Sequence, residues 1–207
     1  MRKAPEKHAP QHGRRTTRWH PAGFALKTRP LTPVADLDAK NMLDINSPLG
    51  IISAQHEKQA YAIFEKQRHG YTIRHTDKTK PISYDGWIIY KENPVALVET
   101  KCRDDCLYHE FVQKYKNHWL ISESKLLVNA DKAKKQKLPL YGFLYIVRSK
   151  VLMVVKLCNA GGQLTAYDAK LSKTKKTING GSVERMNAYI PMRSATILQW
   201  FMTGHRE

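Results

Sequence analysis

Three residues near the middle of the chain, Asp85, Glu99 and Lys101, are of the types that carry phosphoryl chemistry, and two of them close one stretch, VALVETKCR, residues 95–103. It starts as an apolar strand and ends in two opposite charges. Side chains on a strand alternate between faces, so Val95, Leu97, Glu99 and Lys101 are expected to share one face and Ala96, Val98, Thr100 and Cys102 the other. Both faces are apolar over the first half, which predicts a central strand covered on both sides. Asp85 opens the preceding apolar run, DGWIIY. A three-residue loop at 91–93 would pair Tyr90 with Pro94, and that register carried back sets Asp85 opposite Glu99. A two-residue loop puts Asp85 on the opposite face unless a bulge restores it. Two carboxylates brought together repel unless a cation intervenes, and their hard oxygens suit a divalent one. Such an ion polarises a phosphoryl oxygen and acidifies water, while an ammonium such as Lys101 orients that water and offsets developing charge. A plain Glu–Lys pair on a strand end, with Asp85 starting a turn before Gly86, is the other reading of the same residues.

The elements that must position these residues follow from the flanking sequence. Ser47 and Pro48 suit a helix start and Gly70 its end, so residues 47–69 are expected to be helical, with Ile52, Tyr61 and Phe64 facing the core. YTIRHT, 71–76, reads as a short strand before the two already described. Asp104 is expected to cap a helix running to about Ile121, in which Leu107, Phe111 and Tyr115 recur every four residues. A further helix is expected over 123–137. YGFLYIV and VLMVVKL, joined by Arg148-Ser149-Lys150, form the strongest hairpin signal. Beyond Gly161-Gly162, QLTAYDA is a weaker strand candidate, and KLSKTKKTINGG reads as a basic loop. NAYIPM and ATILQWF have no firm assignment. This order predicts an α/β domain over 47–207 with helices packed on a central mixed sheet, its core at 47–157 and an extension at 158–207.

Asp85 followed by Glu99-Thr100-Lys101, set between the helix expected over 47–69 and the one expected over 104–121, resembles the core of the PD-(D/E)xK nuclease superfamily, which includes restriction enzymes, recombination exonucleases and Holliday-junction resolvases. The resemblance covers about residues 47–157 and implies a restriction-endonuclease-like fold. It implies that Asp85 and Glu99 bind Mg²⁺ or Mn²⁺, that the Thr100 carbonyl supplies another ligand, and that Lys101 serves the attacking water. It also places a Glu of the first helix near the metal. Glu57 fits best, and Glu65 is the alternative. Tyr84 stands where the family pattern has Pro. Asn117, four residues after Gln113, stands where the exonuclease branch has Tyr. Gln113 itself is a candidate for orienting a metal water or touching a phosphate.

Charge points the same way. The 207 residues hold 35 Lys and Arg against 18 Asp and Glu, a net charge of +17. That field favours polyanions such as nucleic acid and far exceeds what solubility needs. Residues 1–30 hold eight Lys or Arg and one acid with four prolines, so 1–46 reads as a basic, flexible arm and lead-in. Candidate backbone contacts are Arg14, Arg15 and Arg18, then Lys132, Lys134 and Lys135, then Lys173, Lys175 and Lys176. Trp19, Tyr167 and Tyr189 lie near basic stretches and are candidates for stacking on unpaired bases. Three cysteines form neither a disulfide framework nor a zinc motif, which predicts an intracellular, reducing location. There is no apolar run long enough for a membrane span, no Gly-x-x-x-x-Gly-Lys nucleotide loop and no Gly-x-Ser-x-Gly elbow. The expected activity is a Mg²⁺-dependent DNA nuclease, in the first instance a structure-specific endonuclease, and the resemblance to resolvases implies a homodimer. The rival is a non-catalytic nucleic-acid-binding protein on a nuclease-like fold.

Overall fold

A computed structural model describes residues 47–77, 82–175 and 182–199. The arm expected over 1–46, with Arg14, Arg15, Arg18 and Trp19, lies outside the described residues, as does Lys176.

Helix α1, Pro48–Gln67, begins as its sequence dictates. The Ser47 side chain accepts the Gly50 N–H at 3.1 Å and Pro48 occupies the first turn. Gly70, at φ +82°, turns the chain into β1, Tyr71–His75. Apart from Gly50, the buried residues of α1 lie in its second half: Ala60, Tyr61, Ile63 and Phe64. Ile52, expected in the core, is exposed, because the sheet meets the helix only beyond it.

Strands β2, Gly86–Tyr90, and β3, Asn93–Arg103, form a hairpin. Tyr90 pairs with Asn93, so the turn has two residues, Lys91 and Glu92, both with positive φ (47° and 67°). A two-residue turn alone would have turned Asp85 to the wrong face. The register shifts between Ile88, opposite Ala96, and Ile89, opposite Pro94. Val95 is therefore an extra, bulged residue that packs with the α1 layer and not, as alternation predicts, with Leu97. The bulge restores the alignment, and Gly86 pairs with Val98. Side chains other than Gly, Asn or Asp are strained in the left-handed region by about 1–2 kcal/mol each. Replacing Lys91 and Glu92 with Asn and Gly should raise stability by about 1 kcal/mol and the thermal midpoint by about 2–4 °C, measured by calorimetry.

The next segment departs from a helix over 104–121. Helix α2 is only Tyr108–Lys114, and its first free N–H, that of Leu107, is capped by Glu110 rather than by Asp104. Lys116 and Asn117 take left-handed φ and break it. Strand β4, His118–Ser122, follows, with Trp119 and Ile121 turned inward. Helix α3, Glu123–Gln136, ends at Lys137 and leads into β5, Leu140–Ile146, which lies parallel to β3. A single 3-10 turn, Val147–Ser149, joins β5 to β6, Val151–Cys158, in the expected hairpin. The basic loop expected over 170–181 is, in its first part, strand β7, Asp168–Lys175. Most of QLTAYDA precedes that strand and is joined to β6 by a Leu164–Cys158 bridge and by the Thr165 hydroxyl, which donates to the Lys156 carbonyl at 2.8 Å. Strands β8, Ser182–Pro191, and β9, Thr196–Gln199, complete the described residues.

The main sheet has the order β1-β2-β3-β5-β6-β9, mixed because only β3 and β5 are parallel. On one face α1 packs through Tyr61, Ile63 and Phe64 on Val98, Phe143 and Leu152. On the other, α3 and a second antiparallel sheet, β4-β8-β7, bury Trp119, Leu126, Ala130 and Ile190 against Leu97 and Leu144. The α/β class with a mixed sheet flanked by helices is therefore present, and β3 is central and covered on both faces as its composition predicts. Among the described residues no helix is long and apolar enough to cross a membrane.

Candidate active site

Strand β3 runs past the start of β2, so among the described residues no strand pairs with its last residues on that edge. Asp85 fills the gap. Its N–H donates to the Val98 carbonyl at 2.9 Å, and its own carbonyl accepts the Thr76 N–H at 3.0 Å. Its carboxylate accepts the Thr100 N–H at 2.7 Å. Gly86 allows this: a Cβ there would lie 2.6 Å from the Arg74 carbonyl oxygen and drive β1 from β2. The N–H and C=O of one strand residue leave by the same edge. The Thr100 carbonyl is thus directed to the side on which Asp85 lies. The Thr100 hydroxyl is held 2.8 Å from the Tyr61 hydroxyl, and the Tyr61 ring sits edge-on to His75 and Phe143.

Glu99 points into the α3 layer and is 4% exposed. Two α3 residues one turn apart hold its two oxygens. The Lys125 ammonium is 2.5 Å from one, and the Asn129 amide donates to the other at 3.1 Å. Asn129 is fully buried, and its side-chain oxygen has no hydrogen-bond partner among the described residues. Burial, then the nearby charge of Asp85, pushes the Glu99 carboxyl up to about 8, against the pull of Lys125 and Asn129. Burial alone would lower the Lys125 ammonium, but Glu99, Asp85 and Glu57 together raise it. Lys125 thus feels all three predicted acids.

Glu57 is half-buried on α1, and its charge also raises Tyr61 and Cys102 after burial has done so. Glu65, the alternative, is occupied elsewhere: its carboxylate accepts the Ile73 N–H at 2.7 Å and ties α1 to β1. Cys102 lies on the α1 side, and its thiol, pushed up to about 12, stays protonated at neutral pH. Lys101 does not make the ion pair with Glu99 that the strand spacing predicts. Its surface is exposed, and desolvation by the chain around it, then Arg103 and Lys125, hold its ammonium below the usual lysine range. Arg103 stacks over Tyr115 at 4.1 Å and lies 3.6 Å from Asp105. Asp85, Glu99, Thr100 and Lys101 therefore gather at one margin of the sheet, with Glu57 within electrostatic reach.

The other candidates fall elsewhere. Gln113 is exposed on α2, and its side chain forms no hydrogen bond among the described residues. Lys132, Lys134 and Lys135 are exposed on α3, with Lys135 paired to Asp131 at 2.7 Å. Lys173 is exposed on β7, where Lys170 lies over the Tyr189 ring at 5.7 Å. The Lys175 side chain is outside the described residues. Tyr167 is half-buried and donates its hydroxyl proton to Glu123 at 3.1 Å, a packing role in place of the stacking expected for it.

Sequence reasoning missed Lys125 and Asn129. The signal was present: they lie four apart beside the apolar stripe Leu126, Ala130 and Ala133, so they share a flank that faces the sheet. Among the described residues no three His, Cys, Asp or Glu side chains stand close enough to enclose a metal ion as they are. No known protein family, curated protein or solved structure matches the chain.

Proposed function

We propose that this protein is a divalent-metal-dependent nuclease that hydrolyses DNA phosphodiester bonds, with Asp85, Glu99 and Lys101 as its central residues. The observation that carries the reading is the Asp85–Thr100 hydrogen bond, which fixes one carboxylate beside the β3 residue that follows Glu99. The element order supports it: α1, the meander β1-β2-β3, and a crossover through α3 to a strand parallel to β3 are the succession that a PD-(D/E)xK core requires.

The donor set suits Mg²⁺ or Mn²⁺. Asp85, Glu99 and the Thr100 carbonyl are hard oxygens at one margin, and the unpartnered Asn129 oxygen is a further buried acceptor behind them. When bound, such an ion neutralises phosphate charge and makes water a stronger acid. The chain's own residues do the rest. Asp85 and Glu99 fix the position of the reacting centre. Lys101, whose ammonium is held below its ordinary range, orients the attacking water and offsets charge on the phosphate. Tyr61 locks the Thr100 side chain, and Glu57 adds negative charge from α1. Lys132, Lys134, Lys135 and Lys173 supply exposed cations for the nucleic-acid backbone. No base-reading motif is present, so a structure-specific endonuclease is the favoured subtype. A homodimer belongs with it, because cutting two strands calls for two centres.

A second reading, a non-catalytic nucleic-acid-binding protein, has one observation in its favour: Lys125 already neutralises Glu99. Branched, linear and single-stranded DNA, and RNA at equal salt, incubated with and without Mg²⁺ or Mn²⁺, separates the two. Metal-dependent cleavage that Lys101→Ala abolishes while binding survives supports the nuclease. Salt-sensitive binding with no cleavage under any ion supports the alternative.

The raised Glu99 carboxyl gives a pH dependence. An unfolded chain loses that proton near the usual carboxyl value of 4.5, and the folded protein near 8. Between those values the folded form holds the extra proton, so without metal this group makes stability fall as pH rises through that window. Cation binding needs the ionised form, so cleavage and Mn²⁺ affinity should both rise with pH up to about 8 and level off above it. Calorimetry at several pH values should show proton release on Mn²⁺ binding below that point.

A further inference from the structure

We infer that Lys125 is a built-in counter-ion of Glu99 that a divalent cation must displace, so that cation binding and release of the Lys125 ammonium are a single event. The inference rests on the nuclease reading for the presence of a cation, and on the α3 clamp for everything else. Lys125 and Asn129 hold both Glu99 oxygens, at 2.5 and 3.1 Å, from successive turns of one helix. The three members differ in freedom. The Glu99 side chain is 5% exposed, that of Lys125 is 37% exposed, and Asn129 is fully buried. Asn129 and the strand keep Glu99 in place, while Lys125 alone has a route to solvent. Two cations at one carboxylate oxygen repel, and burial intensifies the repulsion. An arriving cation therefore gains Glu99 only as Lys125 leaves it. Once Glu99 gives up its proton to an arriving cation, removal of the ammonium leaves its charge, beside that of Asp85, opposed by the cation alone, a stronger cation site than the wild type. Lys101 is not equivalent, since it forms no ion pair with Glu99. The freed ammonium remains anchored in the first turn of α3, where a phosphodiester oxygen is a suitable new partner.

The test is Mn²⁺ affinity of the full chain, read from free Mn²⁺ by electron paramagnetic resonance without any cleavage assay. Lys125→Met should bind Mn²⁺ about tenfold more tightly than wild type, and Lys137→Met, exposed and outside the site, should stay within about twofold. A purely structural lysine would not tighten the site when removed, so unchanged or weaker binding by Lys125→Met overturns the inference. A second measurement needs no variant. Mn²⁺ should raise the acylation of Lys125 by acetic anhydride severalfold, read by mass spectrometry, and leave exposed Lys137 unchanged. An unchanged or lower Lys125 rate also overturns it. If wild type binds no Mn²⁺ at all, the nuclease reading fails and this inference with it. If it binds Mn²⁺ without tightening or unmasking, the inference alone fails.

Discussion

Asp85→Asn should lower Mg²⁺-dependent cleavage by about 10³-fold or more while leaving the protein folded. Asparagine keeps the size of aspartate and an oxygen to accept the Thr100 N–H, so the 2.7 Å contact that closes the β3 edge survives. The backbone links to Val98 and Thr76 do not involve the side chain. What goes is the charge, and with it one of two anionic oxygen donors for the cation. Glu99→Gln should cost a similar factor for the same reason, with an opposite effect on stability. Glu99 is buried and carries a raised carboxyl, so the neutral amide removes a strained charge. Its thermal midpoint at pH 8 should match or exceed that of wild type. The double variant should be little worse than either single one, because residues that serve one centre do not add. Single-turnover kinetics on a labelled substrate, with circular dichroism as the folding control, measures all three. A loss below about tenfold in Asp85→Asn would separate that residue from the chemistry.

The largest stability effect should come from Gly142→Ala, the addition of one methyl group. Gly142 lies on β5 opposite Glu99 of β3, and the Trp119 ring of β4 packs against it. A Cβ there would stand 2.0 Å from one ring carbon, 2.8 Å from another and 3.1 Å from Leu157. Trp119 and Leu157 are both buried, so neither has space to withdraw. Overpacking of a closed core usually costs about 1–3 kcal/mol, and a clash this deep with a rigid, buried ring belongs at or above the top of that range. Gly142→Ala should lower urea-unfolding stability by about 3 kcal/mol or more. Adding Trp119→Leu should restore much of that loss, although alone it is destabilising through the cavity it leaves. Additive losses in the double variant would show that the ring is not what the methyl meets.

The sequence carried the local part of this architecture. Ser47-Pro48 and Gly70 mark the ends of α1 through capping chemistry, and the apolar runs of β2, β3, β5 and β6 mark strands through composition. What was not legible was set at a distance or by unfavourable local choices. The stripe Leu107, Phe111, Tyr115 continues without Gly or Pro toward β4, and the break is made by Lys116 and Asn117 in a conformation that lysine seldom takes. Strand β7 is polar with an exposed Leu171, so it is a strand only because β8 pairs with it. At the site, Asp85 and Glu99 come together by the route of a two-residue turn and a bulge at Val95, not by the three-residue loop. The lysine of the Glu-x-Lys spacing is two residues away in sequence, but the one against Glu99 is Lys125, brought back by a crossover that no local pattern encodes.

Crystals of the wild-type protein grown with Mn²⁺, measured at the manganese edge, address the central claim most directly. An anomalous peak should lie between the Asp85 and Glu99 carboxylates at the open end of β3, and it should vanish in Asp85→Asn crystals. Absence of any peak there at saturating Mn²⁺, with Glu99 still paired to Lys125 while the same preparation cuts DNA, would place the chemistry elsewhere and contradict the account.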